Sequence, residues 1–222
     1  MDNEHIKVDH TKGPKFPVVL LLDASSSMAG EKINSLNSGV NLLINTLNKD
    51  DVPFKWMEFC IVSFNTNVVV INDFAVVDNI DPVELNASGS TSMGEAILKG
   101  IDLISKRKAA YKSSGIDYYR PWIWLITDGE PTDYSDDMRN NVVKSVHEGE
   151  RQREFAFFAV GVGDANMQTL SEISIREPFK LNQINFEDMF AFHTCPSLSN
   201  YGENDHILIS SPDWKNIEKY KF

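Results

Sequence analysis

Apolar residues along this 222-residue chain fall into two alternating kinds of segment. Short runs dense in aliphatic and aromatic residues predict buried strands, and longer stretches with apolar residues three and four positions apart predict helices. The predicted strands cover residues 16–22, 56–64, 68–71, 121–127, 155–160 and 179–181. The predicted helices cover residues 31–48, 92–108, 136–148, 166–174 and 186–193. This alternation predicts an α/β fold with a mostly parallel sheet and helices on both of its faces.

The polar segments divide the chain into three parts. Residues 1–15 are expected to form a polar arm, residues 16–198 a single domain, and residues 199–222 a tail that packs on the domain or on a partner. Within the domain, residues 73–90 are expected to connect two elements, and residues 109–119 to form an exposed loop. Trp122 and Trp124, in one predicted strand, are expected to face opposite layers of the core.

Composition excludes several classes of function. The formal net charge of −11 disfavours binding to nucleic acid or to an anionic membrane surface. The longest apolar run is far shorter than the roughly 20 residues that cross a bilayer, and the first 15 residues lack the apolar centre of a secretion signal. Cys60 and Cys195 are the only cysteines, so a disulfide framework is not expected and a reducing cytoplasm fits best.

Three polar loops each follow a predicted strand or precede a predicted helix. They contribute two carboxylates and three hydroxyls, from Asp23, Ser25, Ser27, Thr91 and Asp128. Ligands of open α/β sheets bind beyond the carboxyl ends of the strands, where the winding direction reverses. A set made of oxygen atoms alone suits a hard cation such as Mg²⁺ or Ca²⁺. Because neutral hydroxyls offset little of the cation's charge, a cation in such a site can attract a carboxylate from another molecule to an open coordination position.

These motifs together resemble the metal-ion-dependent adhesion site of von Willebrand factor A domains. The resemblance covers about residues 16–195 and depends on Asp-x-Ser-x-Ser after a buried strand, a Thr after a glycine-containing turn, and Thr-Asp-Gly after a later strand. It implies that Ser25, Ser27 and Thr91 are hydroxyl ligands, and that Asp23 and Asp128 bind the metal directly or through water. The expected cation is Mg²⁺, with Ca²⁺ or Mn²⁺ as alternatives. The resemblance also implies the strand order 3-2-1-4-5-6, with the third strand antiparallel at an edge.

Within that family the chain resembles compact bacterial members linked to tellurium resistance and stress operons. The similarity depends on the apolar run that ends at Asp23, on Thr-Asp-Gly-Glu-Pro-Thr-Asp at 127–133, on residues 158–163, and on Pro212-x-Trp214 in the tail. Such members are associated with kinase and phosphatase modules, so the resemblance implies partners of that kind.

The favoured function is a protein-binding module that grips an acidic group of a partner through its metal. Glu130 and Asp133, which flank the site, and Trp214 in the tail are the candidate partner-binding residues; solvated loop charges, and docking of Trp214 on its own domain, are the alternatives.

Other interpretations of the same residues stay open at this point. A metal-dependent phosphohydrolase would use Asp23 as its nucleophile, but Ser25 stands where that class needs a second acid. A structural subunit whose metal site has decayed is a third reading. Individually, the loop residues also suit helix caps, and Asp128 suits a tight turn before Gly129.

Overall fold

Strands and helices alternate along the chain in the predicted order. The computed structural model describes residues 14–48 and 56–181. The strands are β1 (Phe16–Asp23), β2 (Met57–Phe64), β3 (Val68–Val76), β4 (Trp122–Thr127), β5 (Ala156–Val162) and β6 (Phe179–Leu181). The α-helices are α1 (Glu31–Leu47), α2 (Met93–Ser114), α3 (Asp136–Arg151) and α4 (Met167–Ile173). The predicted helix at 186–193, the tail at 199–222 and the first thirteen residues of the arm lie outside the described residues.

The six strands form one sheet in the order β3-β2-β1-β4-β5-β6, with β3 antiparallel to β2 and the other neighbouring pairs parallel. This confirms the predicted fold class and strand order. The register of β1 against β4 pairs Leu22 with Ile126, so the next residues, Asp23 and Thr127, end their strands side by side. The winding of the sheet reverses at this pair of strands, which is where ligands of such folds bind.

Alternate residues of the central strands enter two separate cores, as the period of a strand requires. Val18, Leu20 and Leu22 of β1 pack on the side covered by α1, whereas Val19 and Leu21 pack on the side of α2, α3 and α4. All five side chains are fully buried. Both faces of the sheet are therefore covered, and its chemistry is confined to the ends of the strands. None of the described helices is long and apolar enough to cross a membrane.

The expectation that Trp122 and Trp124 face opposite layers is wrong. Both pack in the core on the α1 side, with ring centroids 6.3 Å apart, while Ile123 between them enters the other core. Side chains two positions apart on a strand point to the same face, so the strand itself accounts for this arrangement.

The exposed loop predicted at 109–119 is wrong in its first half, because α2 continues through it. Arg107 and Tyr111 of α2 are buried and both donate hydrogen bonds to the carboxylate of Glu58, with a distance of 3.0 Å from Arg107 Nε. The helix ends where Gly115 adopts a φ of 65°, a conformation that glycine takes without strain. The helix therefore continues beyond its apolar pattern, because polar side chains of α2 are buried against the carboxylate of Glu58.

The third strand is also longer than the predicted range of 68–71, since β3 runs to Val76. Polar Asn72 and Asp73 interrupt its apolar pattern, and an irregularity in the pairing of β2 with β3 falls beside Asn72. The Asn72 side chain donates to the carbonyl of Phe59 on β2 across this irregularity, at 3.4 Å. An edge strand can accommodate polar residues at such an irregularity, because a β-bulge changes the direction in which the local side chains point.

Two asparagines on α1 position the segment that leads into α2. Asn41 donates to the carbonyl of Val83 at 2.8 Å and accepts from its N–H at 2.7 Å. Asn37, one turn earlier, makes the same pair of hydrogen bonds with Leu85, at 2.9 and 2.8 Å. The two side chains thus make hydrogen bonds to the backbone of this extended segment in the way that a neighbouring strand would.

We expect Asn41→Ala to lower the free energy of unfolding by about 1–2 kcal/mol more than Asn45→Ala, because it leaves the Val83 N–H and carbonyl without their side-chain partners. Asn45 is exposed one turn further along the same helix, so it controls for the change in helix propensity. Urea unfolding of both variants measures the difference. Equal midpoints for the two variants would contradict this role for Asn41.

Candidate metal centre

Three loops meet at the carboxyl end of the central strands. They are called here the first loop (24–30), the second loop (86–92) and the third loop (128–135). The Ser26 N–H donates to the Gly89 carbonyl at 3.1 Å, which joins the first loop to the second. The Thr132 N–H donates to the Thr91 carbonyl at 2.9 Å, and the Thr91 N–H donates to Thr132 Oγ1 at 3.0 Å, which joins the second loop to the third. The second loop is therefore held on both sides.

Asp23, the last residue of β1, lies fully buried at the base of these loops. Its Oδ1 accepts a hydrogen bond from the Ser25 N–H at 2.8 Å, and its Oδ2 accepts one from the Thr127 hydroxyl at 2.5 Å. Burial raises the pKa of the Asp23 carboxyl; the bonds from Thr127 and Ser25 act against this shift, and the nearby charge of Asp128 adds to it. The ionised carboxylate is thus held in an unfavourable setting that a nearby cation would stabilise.

Asp128 is linked to the serines of the first loop. The Ser27 hydroxyl donates to Asp128 Oδ1 at 2.7 Å, and the hydroxyls of Ser25 and Ser27 are 3.0 Å apart. The Asp128 side chain is buried, as is Ser25, whereas Ser27 is exposed. The carboxylates thus lie deep in the site and the Ser27 hydroxyl lies at its opening.

A single point beside Gly129 tests whether the donors converge. A β-carbon placed on Gly129 would lie 3.3 Å from Ser27 Oγ, 3.6 Å from Thr91 Oγ1 and 3.9 Å from Asp23 Oδ2. Oxygen atoms from β1 and from the first and second loops therefore face one small space, which only the lack of a side chain at Gly129 keeps open. Carboxylates and hydroxyls in such a space fit a hard divalent cation.

No competing set of ligands stands out in the described ranges, 14–48 and 56–181. They contain no group of three or more His, Cys, Asp or Glu side chains that could hold a metal ion. Cys60 is buried and free of disulfide bonding, as predicted, and its burial raises the pKa of its thiol.

The helix-capping interpretation of the loop residues is wrong for this structure. The N-cap of α1 is Gly30 and that of α2 is Ser92, and neither makes a side-chain capping bond. The carboxylate of Asp128 accepts hydrogen bonds from Ser27 of the first loop and from Lys32 of α1. The side chains that sequence reasoning brought together are thus directed at one another.

The flanking acids have partners within the domain. Asp133 accepts hydrogen bonds from the first backbone N–H groups of α2, at 3.1 Å from Gly94 and 2.8 Å from Glu95, where a negative charge is favourable. Glu130 accepts from side chains at the start of α4, those of Asn166 and, at 3.0 Å, Thr169. Their contact with a partner stays a prediction, as does that of Trp214, which lies outside the described residues.

Sequence reasoning missed Lys32, whose ammonium group pairs with Asp128 Oδ2 and donates to the carbonyl of Ser27 at 3.3 Å. It also missed Thr127, which bonds to Asp23, and Thr132, which holds Thr91. A signal for Lys32 was present: a basic residue in the first turn of a helix opposes the helix dipole, so it needs a nearby anion to offset that cost.

Comparison with known proteins gives the family from the sequence and a matching fold from solved structures. The family model "von Willebrand factor type A domain" matches residues 18–194. The chain is 23% identical over 181 residues to the inter-alpha-trypsin inhibitor heavy chain H1 of Bos taurus, covering 77% of this chain and 19% of that protein. The chain therefore spans about a fifth of the length of this curated relative.

Among solved structures, the ArnB paralog VWA2 from Sulfolobus acidocaldarius superposes with a TM-score of 0.53 at 19% identity, covering 78% of this chain and 43% of that one. The proximal thread matrix protein 1 from the mussel byssus, in a structure with a zinc-occupied MIDAS motif, gives a TM-score of 0.51 at 15% identity and covers 81% and 44%. At these identities the structural likeness shows the fold. Because the family model spans most of the chain, this protein belongs to the von Willebrand factor type A domain family, whose members commonly bind other proteins through a metal-ion-dependent adhesion site.

Proposed function

We propose that this protein binds an acidic side chain of a partner protein through a divalent cation held by Asp23, Ser25, Ser27, Thr91 and Asp128. The observation that carries the proposal is the convergence of Ser27, Thr91 and Asp23 oxygens on one point beside Gly129. These donors come from segments far apart in sequence, and hydrogen bonds between the loops hold them together.

Mg²⁺ is the proposed cation. Ca²⁺ takes six to eight oxygen ligands, most often from several carboxylates, and Zn²⁺ favours nitrogen and sulfur ligands. This site offers two carboxylates and three hydroxyls, a small set that suits an ion which retains water ligands. Mn²⁺ and Ca²⁺ are the alternatives.

An acidic partner group is proposed because of the charge that the bound cation would supply. The chain carries a formal net charge of −11, so an acidic partner is repelled at long range and needs a local positive charge. When bound, the cation supplies that charge and a coordination position that a carboxylate can fill. Ser27 places the position close to the surface, because Ser27 is an exposed residue while Asp23 and Asp128 are buried.

The finer identity of the partner is proposed from sequence resemblance alone. The tellurium-resistance members that this chain resembles are associated with kinase and phosphatase modules, so we propose a partner of that kind in a bacterial stress system. A cytoplasmic location is part of the same proposal and is supported by the low cysteine content.

A phosphohydrolase that uses Asp23 as nucleophile is the less favoured function. The Asp23 side chain is fully buried, and both of its oxygens accept hydrogen bonds. A nucleophile needs one oxygen within reach of the substrate phosphorus, so this arrangement favours a holding role. Domains of this family are generally interaction modules.

We expect Ser27→Ala to weaken Mg²⁺ binding by about tenfold or more, because it removes a ligand and the bond that positions Asp128. Ser26→Ala is the matched control, since the neighbouring serine is also exposed and joins the second loop through its backbone. Isothermal titration calorimetry on the full chain measures both variants. Equal affinities for the two variants would argue against Ser27 as a ligand.

We expect Asp23→Asn to abolish the rise in melting temperature that Mg²⁺ produces, because the amide carries no negative charge for the cation to offset. The Asp23 carboxyl has a raised pKa, so its ionised form destabilises the metal-free fold above that pKa, and a bound cation relieves this cost in the wild type alone. Calorimetric melts of wild type and variant with EDTA and with Mg²⁺ test this expectation. A melting temperature that still rises with Mg²⁺ would contradict the role of Asp23.

We expect partner capture to depend on the cation. The immobilised full chain should retain its partner from a lysate of the source cell in Mg²⁺ and lose it in EDTA, with Ser26→Ala behaving as wild type and Ser27→Ala as the chelated protein. Turnover of a generic phosphate ester in Mg²⁺, abolished by Asp23→Asn, would replace this proposal with the phosphohydrolase.

A further inference from the structure

Lys32 brings a basic side chain into contact with two of the candidate metal ligands, Asp128 and Ser27. Its ammonium group pairs with Asp128 Oδ2, while the other oxygen of that carboxylate accepts from Ser27. The Lys32 side chain is 36% exposed and that of Asp128 is buried. The Asp128 carboxylate thus contacts a candidate metal ligand, Ser27, through one oxygen and the positive charge of Lys32 through the other.

The position of Lys32 is set by this site and not by its helix. Lys32 is the second residue of α1, where the helix dipole disfavours a positive charge. The stem passes close to the end of β5, since a β-carbon at Gly163 would lie 3.5 Å from Lys32 Cε. That distance is an ordinary van der Waals separation, so the stem lies beside the end of β5 on its way to Asp128. The Asp128 carboxylate and the Ser27 carbonyl then hold the ammonium group beside the candidate ligands.

We propose that Lys32 sets the charge of this site, weakening its grip on the cation and strengthening its grip on an acidic ligand. The inference deepens the proposed function and rests on it. The two aspartates together balance the charge of a divalent cation, and Lys32 adds a positive charge beside them. The ammonium group competes with the cation for Asp128, and in the loaded site it leaves an excess of positive charge for a carboxylate to neutralise.

The test of the first effect is Mg²⁺ titration of the full chain by calorimetry. Lys32→Met keeps most of the apolar stem and removes the charge, so it should tighten Mg²⁺ binding by about tenfold, equivalent to about 1.4 kcal/mol. Lys32→Arg keeps the charge and should stay within about twofold of wild type. Lys106→Met removes an exposed charge far along α2, which pairs with Asp102 at 2.7 Å, and controls for the change in net charge.

The test of the second effect uses acetate as the acidic probe. Protein loaded with Mn²⁺ is titrated with acetate while water-proton relaxation follows the loss of water from the ion. Lys32→Met should bind acetate several-fold more weakly than wild type, although it binds the metal more tightly. A variant that merely loosened the first loop would weaken both, so opposite signs identify a charge effect.

Unchanged or weaker Mg²⁺ binding in Lys32→Met would overturn the inference while leaving the proposed function intact, provided that wild type binds Mg²⁺ and Ser27→Ala binds it about tenfold or more weakly. Tighter metal with unchanged acetate binding would overturn the claim about the acidic ligand. If neither wild type nor Lys32→Met binds Mg²⁺ or Mn²⁺, the proposed function fails and this inference fails with it.

Discussion

The burial of Asp23 beside Asp128 is the constraint on which the rest of the site depends. Both carboxylates lie at the ends of adjacent strands, and the pKa of Asp23 is raised by burial and by the neighbouring acid. Ionised carboxyls in such a place need compensation, which comes from the Ser25 N–H and the Thr127 hydroxyl for Asp23, and from the charge of Lys32 for Asp128. Because the two carboxylates are only partly compensated, a cation that binds beside them is stabilised by their negative charge.

The pairing of strands in the sheet brings the Asp23 and Asp128 carboxylates close together. Parallel pairing places Leu22 beside Ile126, and the strands then end together at Asp23 and Thr127. A shift of β1 by one residue would exchange the side chains of the two cores, so the packing of each core against its own helices favours this register. The charged residues are therefore held in place by the packing of residues that carry no charge.

The second loop reaches the site through contacts that no local pattern specifies. Asn37 and Asn41 hold the extended segment that precedes it, and Thr132 holds Thr91. Asp133 then fixes the start of α2 through backbone N–H groups. The hydroxyl of Thr91 is thus placed by side chains on two other elements, which explains how three loops keep a common geometry.

Sequence patterns predicted those features of the fold and the site that depend on residues close together in the chain. The strands follow from apolar periodicity, the grouping of Asp23 with Asp128 follows from motifs that each occupy a few positions, and the strand order was implied by the family resemblance of those motifs. The length of α2 was missed because it depends on Tyr111 meeting Glu58 on another element. Lys32 was missed for the same reason, since its partner lies 96 positions away. Its unfavourable place at a helix start was the available signal.

Crystals of the full chain soaked in Mn²⁺ would test the central claim most directly, through the anomalous signal of the ion. We expect one strong peak beside Gly129, with the hydroxyls of Ser25 and Ser27 at about 2.0–2.3 Å and an exchangeable ligand facing solvent. A peak held by other side chains, or a cleft that stays empty at saturating Mn²⁺, would contradict it.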